Sequence, residues 1–111
     1  MATLSSHLLN SVNGTHASGV KVIINQINSS GEKVIFFESE TDNGGRILKD
    51  FDLSKDDCNY DYEMVCKTSD YLSEKKIVPE IIIKFRMEDP KKKYHLPIII
   101  SPNGYSIWWS Q

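Results

Sequence analysis

In the stretch Glu80-Ile81-Ile82-Ile83-Lys84-Phe85-Arg86-Met87-Glu88, Ile81, Ile83, Phe85 and Met87 fall on one side of an extended chain, and Glu80, Lys84, Arg86 and Glu88 on the other. Strand side chains alternate between faces, so this is the pattern of an antiparallel strand with one face on a core and one in water. The same period runs outward in both directions. In 60–68, Tyr60, Tyr62, Met64 and Cys66 oppose Asp61, Glu63 and Lys67; in 20–27, Val20, Val22 and Ile24 share a face; in 33–41, Val34 and Phe36 oppose Ile35 and Phe37. Turn signals punctuate these runs at Asn13-Gly14, Ser29-Ser30-Gly31, Asn43-Gly44-Gly45, Asp89-Pro90 and Pro102-Asn103-Gly104. Such spacing predicts a sandwich or barrel rather than a βαβ fold. Strands are expected over 3–10, 20–27, 33–41, 46–50, 60–68, 80–88, 93–101 and 104–110. One segment breaks the period: Ser69 to Lys76 pairs a capping residue with helix formers and is followed by Pro79, which predicts one short helix. The expectation is an all-β, eight-stranded antiparallel sandwich with one short helix, a single domain over residues 1–111.

Composition narrows the function classes. Of the 111 residues, 40% are hydrophobic and 25% charged, with a net charge of −2, so no excess of positive charge draws the chain to nucleic acid or to anionic lipid. The longest uncharged apolar runs, at Ile81-Ile82-Ile83 and from Pro97 to Ile100, are far shorter than the roughly 20 residues of a membrane span. Met1 to His7 lacks the basic and apolar regions of a secretory signal, which makes the cytoplasm the expected compartment and Cys58 and Cys66 free thiols. The sequons at Asn13 and Asn28 are then chance matches. No zinc-type ligand spacing, phosphate-binding glycine loop or nucleophile elbow occurs, so neither metal nor cofactor is expected. Lys91-Lys92-Lys93 reads as a solvated hairpin loop.

Three histidines remain. His16 falls in a turn between strands and reads as solvated. His7 shares a strand face with Ser5 and Leu9, and His95 with Pro97 and Ile99. Taken singly, a histidine on a strand is more often structural than catalytic. Asn43-Gly44-Gly45-Arg46 is likewise either an anion nest carrying a guanidinium or a plain turn before an arginine.

Three separated segments change that balance when read together. Ser6-His7-Leu8-Leu9-Asn10, with Gly14, Ala17, Gly19 and Val20 after it, resembles the opening of the transthyretin-like family. Thr41-Asp42-Asn43-Gly44-Gly45-Arg46 resembles its middle, and Tyr94-His95-Leu96-Pro97-Ile98-Ile99-Ile100-Ser101-Pro102-Asn103-Gly104-Tyr105-Ser106 its close. The resemblance covers essentially the whole chain. Within that family the hormone-carrier branch lacks the His, Arg and His that the 5-hydroxyisourate hydrolase branch has; here they stand at His7, Arg46 and His95. The resemblance implies hydrolysis of 5-hydroxyisourate, a urate oxidation product, to 2-oxo-4-hydroxy-4-carboxy-5-ureidoimidazoline. It also implies a homotetramer, a dimer of dimers, with active sites in a channel where two dimers meet.

Elementary chemistry agrees with that implication. Opening a cyclic amide with water requires a base for the water and positive charge where the carbonyl oxygen becomes an oxyanion. A neutral imidazole can be the base, and a guanidinium suits a flat ring with several carbonyl oxygens. His7 is expected as the base, Arg46 as clamp and oxyanion support, and His95 as a second acid/base or orienting group. The sequence also departs from the family. The usual terminal Tyr-Arg-Gly-Ser aligns with Trp108-Trp109-Ser110-Gln111, Asn43-Gly44 replaces the more usual acidic residue before Gly-Arg, and His16 stands where the family commonly has proline. By parity Ser106, Trp108 and Ser110 share a face, which makes them the expected substrate-binding residues and puts Trp108 in the place of the tyrosine. An indole can donate one hydrogen bond but cannot accept one as a phenol can. A catalytically weakened tetramer that binds a small aromatic ligand is therefore the alternative.

Overall fold

The computed structural model describes residues 1–72 and 78–109. Strands β1 (Ala2–Asn10), β2 (Thr15–His16), β3 (Lys21–Ile27), β4 (Lys33–Glu40), β5 (Arg46–Phe51) and β6 (Asp61–Cys66) precede the short helix α1 (Thr68–Leu72). After it come β7 (Ile81–Arg86), β8 (Lys93–Ser101) and β9 (Gly104–Ile107). One sheet runs β2-β1-β8-β9, with β5 also paired to β1; the other runs β4-β3-β6-β7. The two enclose one core, and the described residues form the expected sandwich, with α1 as its short α-helix and a 3-10 turn at Asp57–Asn59.

The inward positions read from the sequence lie inside, but in β6 the opposite-face residues Glu63 and Val65 are buried as well. Ile81 is buried with Met87 behind it, while Ile82 faces out; Tyr62, Met64 and Cys66 are fully buried, as are Val20, Val22 and Ile24. Burial pushes the Cys66 thiol up to about 12, and both cysteines are free. Strand β4 is less regular. A bulge opposite Ile24 and Asn25 leaves Phe36 without a partner, so the period of two slips there. Phe36 and Phe37 then both reach the core margin, where the Phe36 ring lies 5.1 Å from Phe51 and 5.5 Å from Tyr62.

Three expectations are corrected in detail. A ninth strand, β2, is only two residues long, too short to show in any pattern. The sandwich is also not wholly antiparallel: β1 and β8 run parallel, with Ser5 opposite His95 and His7 opposite Pro97. Face alternation is the same in both pairings, so it could not report the direction. The third is the last strand, which ends at Ile107 rather than reaching residue 110. Of the expected helix, Ser69 to Leu72 lies in α1, and Ser73 to Lys76 lie outside the described residues.

Strand β1 organises its sheet. Its even positions, Ala2, Leu4, Ser6, Leu8 and Asn10, are all buried, and its odd positions face outward and are half-buried. The two polar members of the buried face are satisfied: Ser6 Oγ donates to the Leu96 carbonyl at 2.6 Å, and Asn10 Nδ2 donates to Tyr71 Oη at 3.1 Å. One edge of β1 takes β8. The other is shared, with β5 covering Ala2 to His7 and β2 covering Leu9 and Asn10.

Candidate active site

The outward face of this sheet collects the polar side chains. Register sets His7 of β1 opposite Arg46 of β5, and Ser5 of β1 opposite both Leu48 of β5 and His95 of β8. Residues level across neighbouring strands point to the same side. His7, Arg46 and His95, drawn from segments far apart in sequence, therefore share one face. A concavity of about 320 Å³ opens there, lined by Ser5, Ser6, Asp42, Arg46, Ile47, Leu48 and His95.

The corner before β5 delivers Arg46 to that place. Thr41 Oγ1 donates to the Ala17 carbonyl at 2.7 Å and accepts from the Val20 N–H at 2.9 Å, which ties the corner to the start of β3. Asp42 Oδ1 then accepts the backbone N–H groups of Gly44 at 2.9 Å and Arg46 at 3.0 Å. The Arg46 N–H is the main reason that the Asp42 carboxyl is held below the usual carboxylate range. Gly45 sits at φ 73°, and a Cβ there would lie 2.5 Å from the Leu8 carbonyl oxygen. Only glycine fits both the left-handed backbone and that approach. The Asn-Gly-Gly-Arg stretch is thus a turn, built to set an arginine beside β1.

Each histidine has its own restraint. His95 Nδ1 is 2.8 Å from Ser5 Oγ, so Nε2 is the ring nitrogen turned to other partners, whichever group carries the shared proton. His7 Nε2 is 2.9 Å from Nδ1 of His16. Partial burial is the first cause that holds the His7 imidazole below its usual pKa, followed by the Arg46 guanidinium and the His16 ring; a hydrogen bond to the Gly44 backbone opposes them. The result is an imidazole that stays neutral, and able to accept a proton, to lower pH than a free one.

His16 corrects the sequence reading. It is exposed, but it is a member of β2, opposite Leu9, with its ring stacked on His7 at 4.9 Å and 28°. Ser5 and Asp42 are further residues of the site that residue types alone did not single out. Ser5 was visible as a face-mate of His7, but its partnership with His95 depends on the β1–β8 register.

The tail residues sit less centrally. Ser106 lies opposite Ile99 on the outward face and is exposed. Trp108 follows the end of β9, is 46% exposed, and is not among the side chains lining the concavity. Ser110 lies outside the described residues. Trp109 packs at 5.7 Å against Tyr94, on the side of β8 away from His95, with Lys92 Nζ 5.4 Å above its ring. Among the described residues no group of three His, Cys, Asp or Glu side chains is arranged to hold a metal ion, and no helix is long and apolar enough to cross a membrane.

Comparison with known proteins bears on this arrangement. The profile described as HIUase/Transthyretin family matches residues 4–109. A 5-hydroxyisourate hydrolase of Salmonella dublin is 33% identical over 108 residues, which cover 95% of this chain and 78% of the relative. The solved 5-hydroxyisourate hydrolase of Klebsiella pneumoniae superposes with a TM-score of 0.77 at 26% identity, covering 98% of this chain and 99% of that one. Transthyretin from Sparus aurata shares the fold, with a TM-score of 0.79 at 20% identity, covering 96% of this chain and 95% of that one. A match that spans nearly every strand, including those that carry His7, Arg46 and His95, shows that this chain belongs to the HIUase/transthyretin family.

Proposed function

We infer that this chain is a 5-hydroxyisourate hydrolase, with His7, Arg46 and His95 as its catalytic residues. The observation that carries the reading is the register of β5, β1 and β8, which sets an arginine level with one histidine and a serine-bound histidine on the next strand. His7, its imidazole held below its usual pKa, takes a proton from water at the ring nitrogen that does not face His16, as the water oxygen bonds to the ring carbonyl carbon. The carbonyl oxygen becomes an oxyanion beside the Arg46 guanidinium. The ring C–N bond then breaks, the nitrogen takes up a proton from an imidazolium, and the carboxylic acid left behind loses its own proton to solvent. His95, oriented by Ser5, is placed to give or hold the proton for that nitrogen.

The working form is a homotetramer, a dimer of dimers acting in the cytoplasm on a small purine-derived substrate. Two observations support the assembly. Leu48, beside Arg46 on the outward face, is 71% exposed, and a second copy laid on that face would cover it. Among the described residues the end strands β4 and β7 of one sheet and β5 and β9 of the other each have one unpaired edge, and a second copy can pair at such an edge. In such an assembly Ser106, Trp108 and Ser110 add a wall to the site, with the Trp108 indole stacking on the flat substrate.

Addition of freshly prepared 5-hydroxyisourate, followed by its absorbance decay, tests the activity. The expected result is decay well above the spontaneous rate; decay no faster than in buffer overturns the reading. The Trp108-Trp109 tail favours one second reading, a tetramer that binds a small aromatic ligand without turning it over. That reading gains if the native chain is inert while a version with Trp108→Tyr, Trp109→Arg, Ser110→Gly and Gln111→Ser is active.

A further inference from the structure

His16 takes no part in the chemistry above, yet its place is tightly determined. Strand β2 continues the edge of β1 at the point where β5 stops, so His16 comes level with Leu9, two residues from His7 on the same face. The backbone around it is closely fitted. The Ala17 N–H donates to the Leu8 carbonyl at 2.9 Å, the Leu8 N–H donates to the Gly45 carbonyl at 2.8 Å, and a Cβ on Gly45 would lie 3.2 Å from His16 Cβ. A two-residue strand could wander, but this one is locked into the corner that also positions Arg46.

We infer that His16 is a further member of the site, a positioning residue that acts through His7 by holding its ring against rotation with a stacked face and a hydrogen bond. The contact is 2.9 Å between His7 Nε2 and His16 Nδ1, with ring centroids 4.9 Å apart. One ring must donate an N–H and the other accept it, so the bond exists only while at least one ring is neutral. The charged and titratable groups around His7 are Arg46 of β5, His16 of β2 and His95 of β8, which all disfavour a second positive charge there, and Asp42 of the corner, whose carboxylate is coupled to His7 in the opposite sense. Loss of His16 removes an orienting partner and one of the groups that oppose protonation.

The consequence for rate rests on the hydrolase reading; the contact itself does not, and the test separates them. Nitrogen-15 imidazole spectra of the native protein, recorded through a pH titration, read the His7–His16 hydrogen bond directly. Steady-state kinetics against pH are then compared for native protein, His16→Phe and His16→Asn. The phenyl ring keeps a stacking face without a hydrogen bond or charge, and the asparagine amide keeps a polar partner near Nδ1 without titrating. The expected result is a bonded His7 Nε2 in the native spectrum. For His16→Phe, kcat falls by about tenfold, the scale of one lost hydrogen bond, KM changes little, and the acid limb of the profile moves to higher pH. His16→Asn recovers part of kcat but keeps the displaced limb. A free His7 Nε2 in the native spectrum overturns the inference whether or not the protein is active. So do native rate and acid limb in both variants. An inactive native protein with a bonded Nε2 would instead overturn the hydrolase reading and leave the contact established.

Discussion

The two faces of β1 are made from the same nine residues and do opposite things. Its even face is closed: Leu4 and Leu8 are fully buried, and Ser6 and Asn10 are hydrogen-bonded into the core. Its odd face is open, and there Ser5 orients the His95 ring through Nδ1 while His7 pairs with His16 through Nε2. The difference teaches that one strand carries stability and chemistry on separate sides, with only the backbone in common. Substitutions should therefore divide cleanly: inward changes alter melting and leave the rate per folded molecule alone, and outward changes do the reverse.

The largest effect expected is on the closed face. Leu8→Ala leaves a cavity among fully buried side chains and should cost about 2–5 kcal/mol in unfolding free energy. Denaturant titration checks this, and a variant of native stability would break the comparison. On the open face, His7→Ala, Arg46→Ala and His95→Ala should each lower turnover by on the order of 10²-fold, about 2.7 kcal/mol, with an unchanged denaturation midpoint. Gly45→Ala sharpens the comparison because it touches both sides. A methyl group meeting the Leu8 carbonyl oxygen must move the corner, so stability and turnover should fall together. Ser6→Ala, which leaves the Leu96 carbonyl short of a buried donor, should cost only about 1 kcal/mol and spare the rate.

The dependence on pH distinguishes the faces further. The pKa of His7 is lowered from the model-compound value of 6.5, so its neutral form persists below that pH and is lost only as pH falls through the lowered value. Activity that needs neutral His7 should accordingly have an acid limb below pH 6.5, read from kcat/KM. A limb above that value would mean that the base is another group. The smallest change expected is in the tail, where tyrosine at position 108 should raise turnover modestly if Trp108 forms the proposed wall, since a phenol adds a hydrogen-bond acceptor there.

How much of this was legible in the sequence follows from the kind of information each feature needs. The core strands were readable because period two is local: Tyr62, Met64 and Cys66 announce their face within six residues. At Phe36 the reading slipped, because a bulge is decided by the partner strand and not by the residues that bulge. His7, Arg46 and His95 emerged only through family resemblance, since register across β5, β1 and β8 is a three-dimensional fact. The pairing of Ser5 with His95 required the parallel β1–β8 alignment, which alternation cannot reveal. His16 was misjudged for the same reason. Next to Asn13-Gly14 it has the look of a turn residue, and a strand of two residues leaves no period to detect.

The central claim is that His7 and His95, on strands joined only through the fold, serve one reaction at one site. Rates of 5-hydroxyisourate decay for the native protein, His7→Ala, His95→Ala and the double variant test it most directly. Residues that act as a unit are strongly non-additive, so the double variant should be hardly slower than the worse of the two single ones. If the two losses instead multiply, the histidines act independently and the account of a single site is contradicted.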